Sequence, residues 1–118
     1  MTYEAALEYI HSICWTFTKP GLERISALCE KLGNPQDELK FIHVAGTNGK
    51  GSFCSMIDSV LRAAGYKTGL FTSPYIKVFN ERMQFCGENI ADDELAKITE
   101  YVKPFADSME DKPTEFEL

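Results

Sequence analysis

A segment near the middle of the chain reads Phe41-Ile42-His43-Val44-Ala45-Gly46-Thr47-Asn48-Gly49-Lys50-Gly51-Ser52. Its mostly apolar beginning, residues 41–45, is typical of a strand that is buried on both faces of a parallel sheet. A helical pattern follows the glycine-rich part, with apolar residues at helical spacing: Phe53, Met56, Ile57, Val60, Leu61 and Ala64. The order of strand, glycine-rich turn and helix predicts the start of a right-handed βαβ unit.

Residues 46–52 have the composition of a phosphate-binding loop. Glycines let the backbone pass close to an anion, and the N-terminus of the following helix adds its positive dipole end. Lys50 can then reach the outer phosphates as a point charge. The match to G-x-x-x-x-G-K-[ST] is imperfect, because only Thr47 and Asn48 separate Gly46 from Gly49. Gly51 also stands where a hydroxyl normally holds Mg²⁺.

The alternative interpretation of residues 46–52 is a glycine-rich turn with an exposed lysine. The strand before the loop and the amphipathic helix after it favour phosphate binding.

Local signals predict the remaining elements. Thr2 caps a first helix whose apolar pattern runs to Cys14, and a second helix over residues 22–32 ends at Gly33. Residues 67–72 are predicted to form the second parallel strand, and a hairpin surrounds Gly87. Asp92 caps a last helix, which Pro104 is predicted to end.

The predicted fold is α/β, a P-loop NTPase-like βαβ with parallel strands and flanking helices. Two strands are few for such a sheet, and Thr114-Glu115-Phe116-Glu117 is a capping box that announces a further helix. We therefore expect residues 1–118 to be the N-terminal portion of a larger ATP-binding domain, whose C-terminal partner domain is not in this chain. The acidic stretch 107–117 is otherwise interpreted as solvated.

The composition of the chain excludes several classes of protein. The chain has 118 residues, 44% of them hydrophobic, and a net charge of −6. These values are typical of one globular domain and argue against disorder and against general binding to nucleic acids or anionic membranes. We expect no secretory signal, because the first residues include no basic and apolar regions of that type, and no apolar run approaches transmembrane length. The four cysteines form no CxxC pair, so we expect reduced thiols, no zinc site and a cytoplasmic location.

Several blocks together resemble the folylpolyglutamate synthase/dihydrofolate synthase family of the Mur ligase superfamily. The GTNGKGS form of the loop, residues 46–52, is one of them. The others occur in the family's order: Lys19-Pro20-Gly21-Leu22-Glu23-Arg24-Ile25, Leu32-Gly33-Asn34-Pro35, Phe71-Thr72-Ser73-Pro74, Phe79-Asn80-Glu81-Arg82 and Pro113-Thr114-Glu115-Phe116-Glu117. The loop alone indicates only the superfamily, whereas the Thr-Ser-Pro and Asn-Glu-Arg blocks favour the folate branch.

The resemblance implies an ATP- and Mg²⁺-dependent ligase that joins L-glutamate to folate or dihydropteroate through an acyl phosphate. It implies that Gly46, Thr47, Asn48, Gly49, Lys50, Gly51 and Ser52 hold the ATP phosphates, with Lys50 as the catalytic cation. Ser73 and Glu117 are the implied metal ligands, and Glu117 can alternatively cap its own helix. Pro74, Tyr75 and Arg82 are the implied folate-binding residues.

The resemblance also implies that parts of the family's active site are not in this chain. A later histidine and lysine and a C-terminal domain complete the family's site, so the isolated chain is expected to be inactive and, with unpaired sheet edges, to self-associate. The whole protein is expected to be a monomer. Two alternatives stay open, namely another Mur-type amide ligase and a non-catalytic nucleotide-binding module. A small P-loop kinase is disfavoured by the short loop and by Gly51.

Overall fold

The computed structural model describes residues 1–13 and 20–118, which form two compact units. Met1–Lys40 and Asp93–Leu118 make up the helical unit, and Phe41–Asp92 make up the sheet unit. The described α-helices are α1 (Tyr3–Ser12), α2 (Glu23–Lys31), α3 (Lys50–Ala63) and α4 (Asp92–Asp107), and two short 3-10 helices cover Pro35–Glu38 and Phe79–Arg82. The strands are β1 (Gly69–Phe71), β2 (Met83–Phe85) and β3 (Glu88–Asn89). The predicted extension of the first helix pattern to Cys14 lies outside the described residues.

The ends of the helices in the helical unit follow the local sequence signals. The Thr2 hydroxyl caps α1 by accepting a hydrogen bond from the Ala5 N–H at 3.2 Å. After α2, Gly33 and Asn34 adopt left-handed conformations with φ of +83° and +53°. Both residue types tolerate this conformation, so the chain leaves the helix where the sequence predicts.

The core of the helical unit joins α2 to the end of α4. Leu28, Ala106 and Met109 are buried, and partly buried apolar side chains surround them: Ala27, Leu32, Val102, Phe105 and Leu118. This packing explains why the prediction that Pro104 ends α4 is wrong. Proline removes one helical hydrogen bond, but the Ser108 N–H still donates to the Pro104 carbonyl at 3.2 Å. Burial of Ala106 therefore keeps the helix going to Asp107.

The sheet unit contains a small antiparallel sheet in the order β1-β2-β3. Phe71 lies opposite Met83, and Phe85 lies opposite Glu88. Cys86 and Gly87 connect β2 to β3 with φ of +50° and +85°. Two left-handed residues in a row are typical of a tight hairpin turn, which confirms the predicted hairpin.

The predicted pair of parallel strands is wrong for the described residues. Residues 41–45 form no strand, and β1 pairs with β2 in antiparallel fashion. Phe41 and Ile42 are 69% and 62% exposed, although their apolar character predicted burial. An apolar run indicates that a segment is suited to a buried environment. A strand also needs a neighbouring strand that pairs with its backbone N–H and C=O groups. No described residue supplies that partner, so the α/β class stands without the βαβ unit.

Two further findings concern membrane spans and cysteines in the described part of the chain. None of its helices has the length and apolar character that a membrane span requires. Cys29, Cys54 and Cys86 are free thiols.

Candidate functional site

The glycine-rich loop in the sheet unit opens directly into a helix. Gly49 precedes the first residue of α3 and has φ of +79°, a left-handed conformation that favours glycine. Its carbonyl accepts a hydrogen bond from the Phe53 N–H at 2.9 Å, so it takes part in the first helical turn. No side chain caps this end of α3, which leaves the first N–H groups of the helix and its positive dipole end directed at the loop.

Lys50 folds over the loop that precedes it. Its Nζ donates to the carbonyl oxygens of Gly46 and Thr47, the second at 3.4 Å. A Cβ atom added at Gly46, Gly49 or Gly51 would meet no heavy atom within 4 Å. The structure thus brings a cation, a helix N-terminus and open space together over residues 46–52, which is the chemistry that anion binding needs.

A second loop of the sheet unit, residues 73–82, contains four of the predicted site residues. The two ends of this loop lie close together, because the Thr72 N–H donates to the Arg82 carbonyl at 3.0 Å. The Ser73–Pro74 peptide bond is cis. Ser73, Pro74 and Tyr75 are exposed on the first half of this loop.

Phe79 brings Tyr75 and Arg82 together. The Tyr75 ring packs edge-to-face against Phe79, with ring centroids 5.8 Å apart. The Arg82 guanidinium lies 5.4 Å from the Phe79 ring and 5.5 Å from the Phe71 ring. These distances are typical of cation–π contacts, so Phe79 contacts both the exposed tyrosine and the cationic group.

Two residues of the same loop have roles that the sequence analysis missed. The Asn80 side chain is buried, and its Nδ2 donates to the Ile90 carbonyl at 2.7 Å and to Asp92 Oδ1 at 2.9 Å. The Glu81 carboxylate accepts the N–H groups of Ile76, Lys77 and Val78 at 2.9, 2.9 and 3.0 Å. These backbone bonds, that from Ile76 first, hold the pKa of Glu81 below its usual value. Glu81 is the third residue of the short helix Phe79–Arg82, and a glutamate at that position is the local sequence signal for such capping.

Glu117 lies in the helical unit. It forms the predicted capping box, because its Oε2 accepts the Thr114 N–H at 2.8 Å and its own N–H donates to the Thr114 hydroxyl at 3.3 Å. Arg24 Nε donates to the same Oε2 at 3.0 Å. Burial raises the pKa of Glu117, but the bonds from Arg24 and Thr114 outweigh it and hold that pKa below its usual value. No described residue donates to Oε1, so capping occupies one carboxylate oxygen and leaves the other.

The acidic stretch 107–117 is not simply solvated, contrary to expectation. Asp107 accepts bonds from Tyr9 at 2.9 Å and from Lys103 at 2.6 Å. Glu115 lies 3.1 Å from His11, and Asp111 lies 3.7 Å from Arg24. Pairing to α1 and α2 therefore holds the acidic groups of this segment against the helical unit.

The donors predicted for Mg²⁺ are oxygens of a hydroxyl and a carboxylate, the ligand type that this ion prefers. Ser73 is exposed in the sheet unit, and Glu117 keeps Oε1 in the helical unit. These two donors fit the chemistry of the ion. Within residues 1–13 and 20–118, no cluster of three or more His, Cys, Asp or Glu side chains is arranged to hold a metal.

Comparison with known proteins identifies the relatives of this chain. A dihydrofolate synthase/folylpolyglutamate synthase of Bacillus subtilis is 42% identical over 98% of the chain and 28% of its own length. The solved folylpolyglutamate synthetase of Lactobacillus casei is 39% identical and superposes with a TM-score of 0.92, over 99% of this chain and 30% of its own. The chain is homologous to the folylpolyglutamate and dihydrofolate synthases. A synthase solved as a complex with AMPPCP and folate superposes with a TM-score of 0.93, at 39% identity and the same coverage.

The predicted family resemblance is thereby confirmed. No protein-family model matches the chain. The chain spans about 28% of the length of the curated synthases that it matches. The structural similarity to the solved synthetase extends over 99% of this chain.

Proposed function

We propose that this chain supplies the ATP-phosphate loop and part of the folate loop of an ATP-dependent ligase. The whole protein would join L-glutamate to the carboxylate of folate or dihydropteroate through an acyl phosphate. The observation that carries this proposal is the loop at residues 46–52, over which Lys50 folds back from the first position of α3. The homology to synthases of both names supports it.

The phosphate groups of ATP bind at residues 46–52 in this proposal. The N–H groups at the start of α3 and the loop backbone donate to phosphate oxygens, while Gly46, Gly49 and Gly51 leave room for them. Lys50 releases the carbonyls of Gly46 and Thr47 and turns to the outer phosphates. As the catalytic cation, it offsets negative charge that develops during phosphoryl transfer. Asn48 and Ser52 complete the loop, and both are exposed.

Ser73 and Glu117 are the proposed magnesium ligands. When bound, the ion neutralises phosphate charge. Glu117 can serve without losing its structural role, because Arg24 and Thr114 occupy Oε2 and the ligand atom would be Oε1. In this proposal Glu117 caps its turn through Oε2 and binds the ion through Oε1, so it has both of the roles that the sequence presents as competitors.

Pro74, Tyr75 and Arg82 are the proposed folate contacts. The exposed Tyr75 ring suits stacking on a flat heterocycle, and the Arg82 guanidinium suits a carboxylate. The Thr-Ser-Pro block, which contains Pro74, and the Asn-Glu-Arg block, which contains Arg82, favour the folate branch over another Mur-type ligase. A cytoplasmic location, a monomeric whole protein and the inactivity of the chain alone complete the proposal.

Thermal unfolding with and without Mg-ATP tests the nucleotide site directly. Ligand at one hundred times its dissociation constant stabilises a protein by about 2.7 kcal/mol, which gives a measurable rise in midpoint. We expect the wild-type chain to show this rise and Lys50→Ala to show none. Lys67→Ala is the matched control, since Lys67 is an exposed lysine of the same unit outside the loop.

The controls separate the possible outcomes. An equal rise in the wild type and Lys50→Ala would contradict the assignment of the loop. Loss of the rise in Lys67→Ala as well would show that general positive charge, rather than the loop, attracts the nucleotide.

A further inference from the structure

Glu81 organises one side of loop 73–82 by itself. Its Oε2 accepts the Ile76 N–H, and its Oε1 accepts the N–H groups of Lys77 and Val78. Three consecutive backbone donors therefore converge on one carboxylate. Hydrogen bonds to an ionised acceptor are roughly twice as strong as those between neutral groups. The charge of Glu81 thus fixes a segment that belongs to no helix or strand.

The base of the loop is anchored independently. Asn80 is 5% exposed and bonds to Ile90 and Asp92, while the Glu81 N–H donates to the Val78 carbonyl at 3.1 Å. The backbone hydrogen bond between Thr72 and Arg82 holds the two ends of the loop together. Glu81 therefore has a fixed backbone position, and its side chain reaches from there to the backbone of residues 76–78.

The side chains that Glu81 holds in place do not stabilise a core. Ile76 is 89% exposed, and Tyr75 and Val78 are 42% and 49% exposed. Lys77 is exposed as well. Apolar side chains held outward on an ordered loop are suited to contact with a flat apolar ligand surface rather than to packing within the protein.

We infer that Glu81 is a positioning residue, which pre-organises residues 75–78 so that Tyr75 and Ile76 contact the fused ring of the folate substrate. The inference rests on the proposed function, because it takes folate as the ligand of this loop. It adds Glu81 and Ile76 to the residues that the family resemblance implies. A loop that is already ordered loses less conformational entropy on binding, so its ligand binds more tightly.

The test follows folate binding to the 118-residue chain by amide NMR spectroscopy, with Mg-ATP binding measured in parallel. Glu81→Gln retains one carbonyl acceptor but replaces the other oxygen by an amide group, which accepts no hydrogen bond from the backbone. We expect faster hydrogen exchange at Ile76, Lys77 and Val78 and at least about tenfold weaker folate binding, since apparent affinity falls with the population of the competent loop. The response to Mg-ATP stays unchanged.

Two further variants serve as controls for the effect of Glu81→Gln. Glu88→Gln removes an exposed carboxylate from β3 and should behave as the wild type. Ile76→Ser retains the N–H, so it should weaken folate binding without faster exchange at Lys77 and Val78. Exchange of the Leu70 and Gln84 amides, which lie in β1 and β2, reports whether each variant keeps the fold.

The outcomes distinguish this inference from the proposed function. Unchanged folate affinity in Glu81→Gln despite faster loop exchange would overturn the positioning role. Equal loss of folate and Mg-ATP binding would overturn it too, because it would mark Glu81 as a general structural residue. Absence of folate-induced shifts at residues 75–78 in the wild type would also overturn it, whereas the Mg-ATP response of Lys50 decides the proposed nucleotide function separately.

Discussion

Arg24 Nε donates to Glu117 Oε2 across 3.0 Å, and the two side chains are only 6% and 14% exposed. The pair joins α2 to the turn at residues 114–117, and Asp111 lies 3.7 Å from the same guanidinium. A buried carboxylate that keeps its charge needs such a partner. This ion pair therefore holds the C-terminal segment in place and sets which oxygen of Glu117 remains available.

Removing the arginine tests this role. Arg24→Ala leaves Glu117 buried without its cationic partner, so we expect a clear fall in the thermal midpoint, with Arg24→Lys between the variant and the wild type. Lys97→Ala is the control, because its pairs with Asp93 and Glu94 are exposed and such pairs contribute little. Equal falls for Arg24→Ala and Lys97→Ala would contradict the structural role of the Arg24 pair.

Asp58 predicts a pH dependence of stability. The Thr68 side chain and the Arg62 guanidinium, which donates at 2.9 Å, hold the pKa of this buried carboxyl below its usual 3.8. Folding therefore favours the ionised form, and the stabilisation is present above pH 3.8 and lost as the pH falls through the folded pKa. Asp58→Asn should be less stable than the wild type at pH 7, and the difference should shrink below pH 3.8.

Urea unfolding at neutral and acidic pH measures this difference. Asp93→Asn, at an exposed carboxylate, should differ little from the wild type at every pH. A deficit of Asp58→Asn that stays constant down to the most acidic pH would rule out the charge of Asp58 as its cause.

The two glycines that flank Lys50 should respond oppositely to alanine. Gly49 has φ of +79°, so Gly49→Ala should cost about 1–2 kcal/mol of unfolding free energy. Gly51 lies inside α3, and a Cβ there meets no heavy atom within 4 Å. Gly51→Ala should therefore stabilise the chain by about 0.5–1 kcal/mol. Denaturant unfolding checks both values, and effects of the same sign would contradict the backbone geometry of the loop.

Several local features of the fold were predictable from sequence, because they depend on neighbouring residues. The Thr2 cap, the left-handed Gly33 and the turn at Gly87 all follow from local chemistry. The pairing of β1 with β2 was not predictable, since the apolar pattern at residues 41–45 says nothing about which strand lies beside it. Long-range packing at Ala106 likewise overrode the local effect of Pro104.

In the candidate site, too, local features were predictable from sequence and long-range contacts were not. The start of α3 near Lys50 was predictable from the glycine-rich sequence before it, whereas the contacts of Arg24 with Glu117 join residues 93 positions apart. No local pattern marks Arg24 as buried. Glu81 was missed because its three partners are backbone N–H groups, which every residue type except proline supplies.

The exposed apolar residues of the sheet unit predict self-association. Phe41, Ile42, Met56 and Val60 are all more than half exposed. Clustering such side chains between molecules removes apolar surface from water. We expect the sedimentation coefficient of the chain to rise with concentration and Ile42→Lys to reduce that rise. Ser59→Lys adds the same charge at an exposed polar position of α3 and should not; an identical effect of both variants would point to net charge as the cause.

The bonds of Lys50 to the carbonyls of Gly46 and Thr47 have a consequence for ligand discrimination. An anion that enters the loop competes with these two oxygens for the same ammonium group. A small, singly charged ion such as chloride offers one weak acceptor and gains little from the exchange. A polyphosphate offers several charged oxygens at once, to the ammonium group and to the start of α3 together. In the proposed ATP site, the folded-back lysine therefore favours polyphosphates over small, singly charged anions.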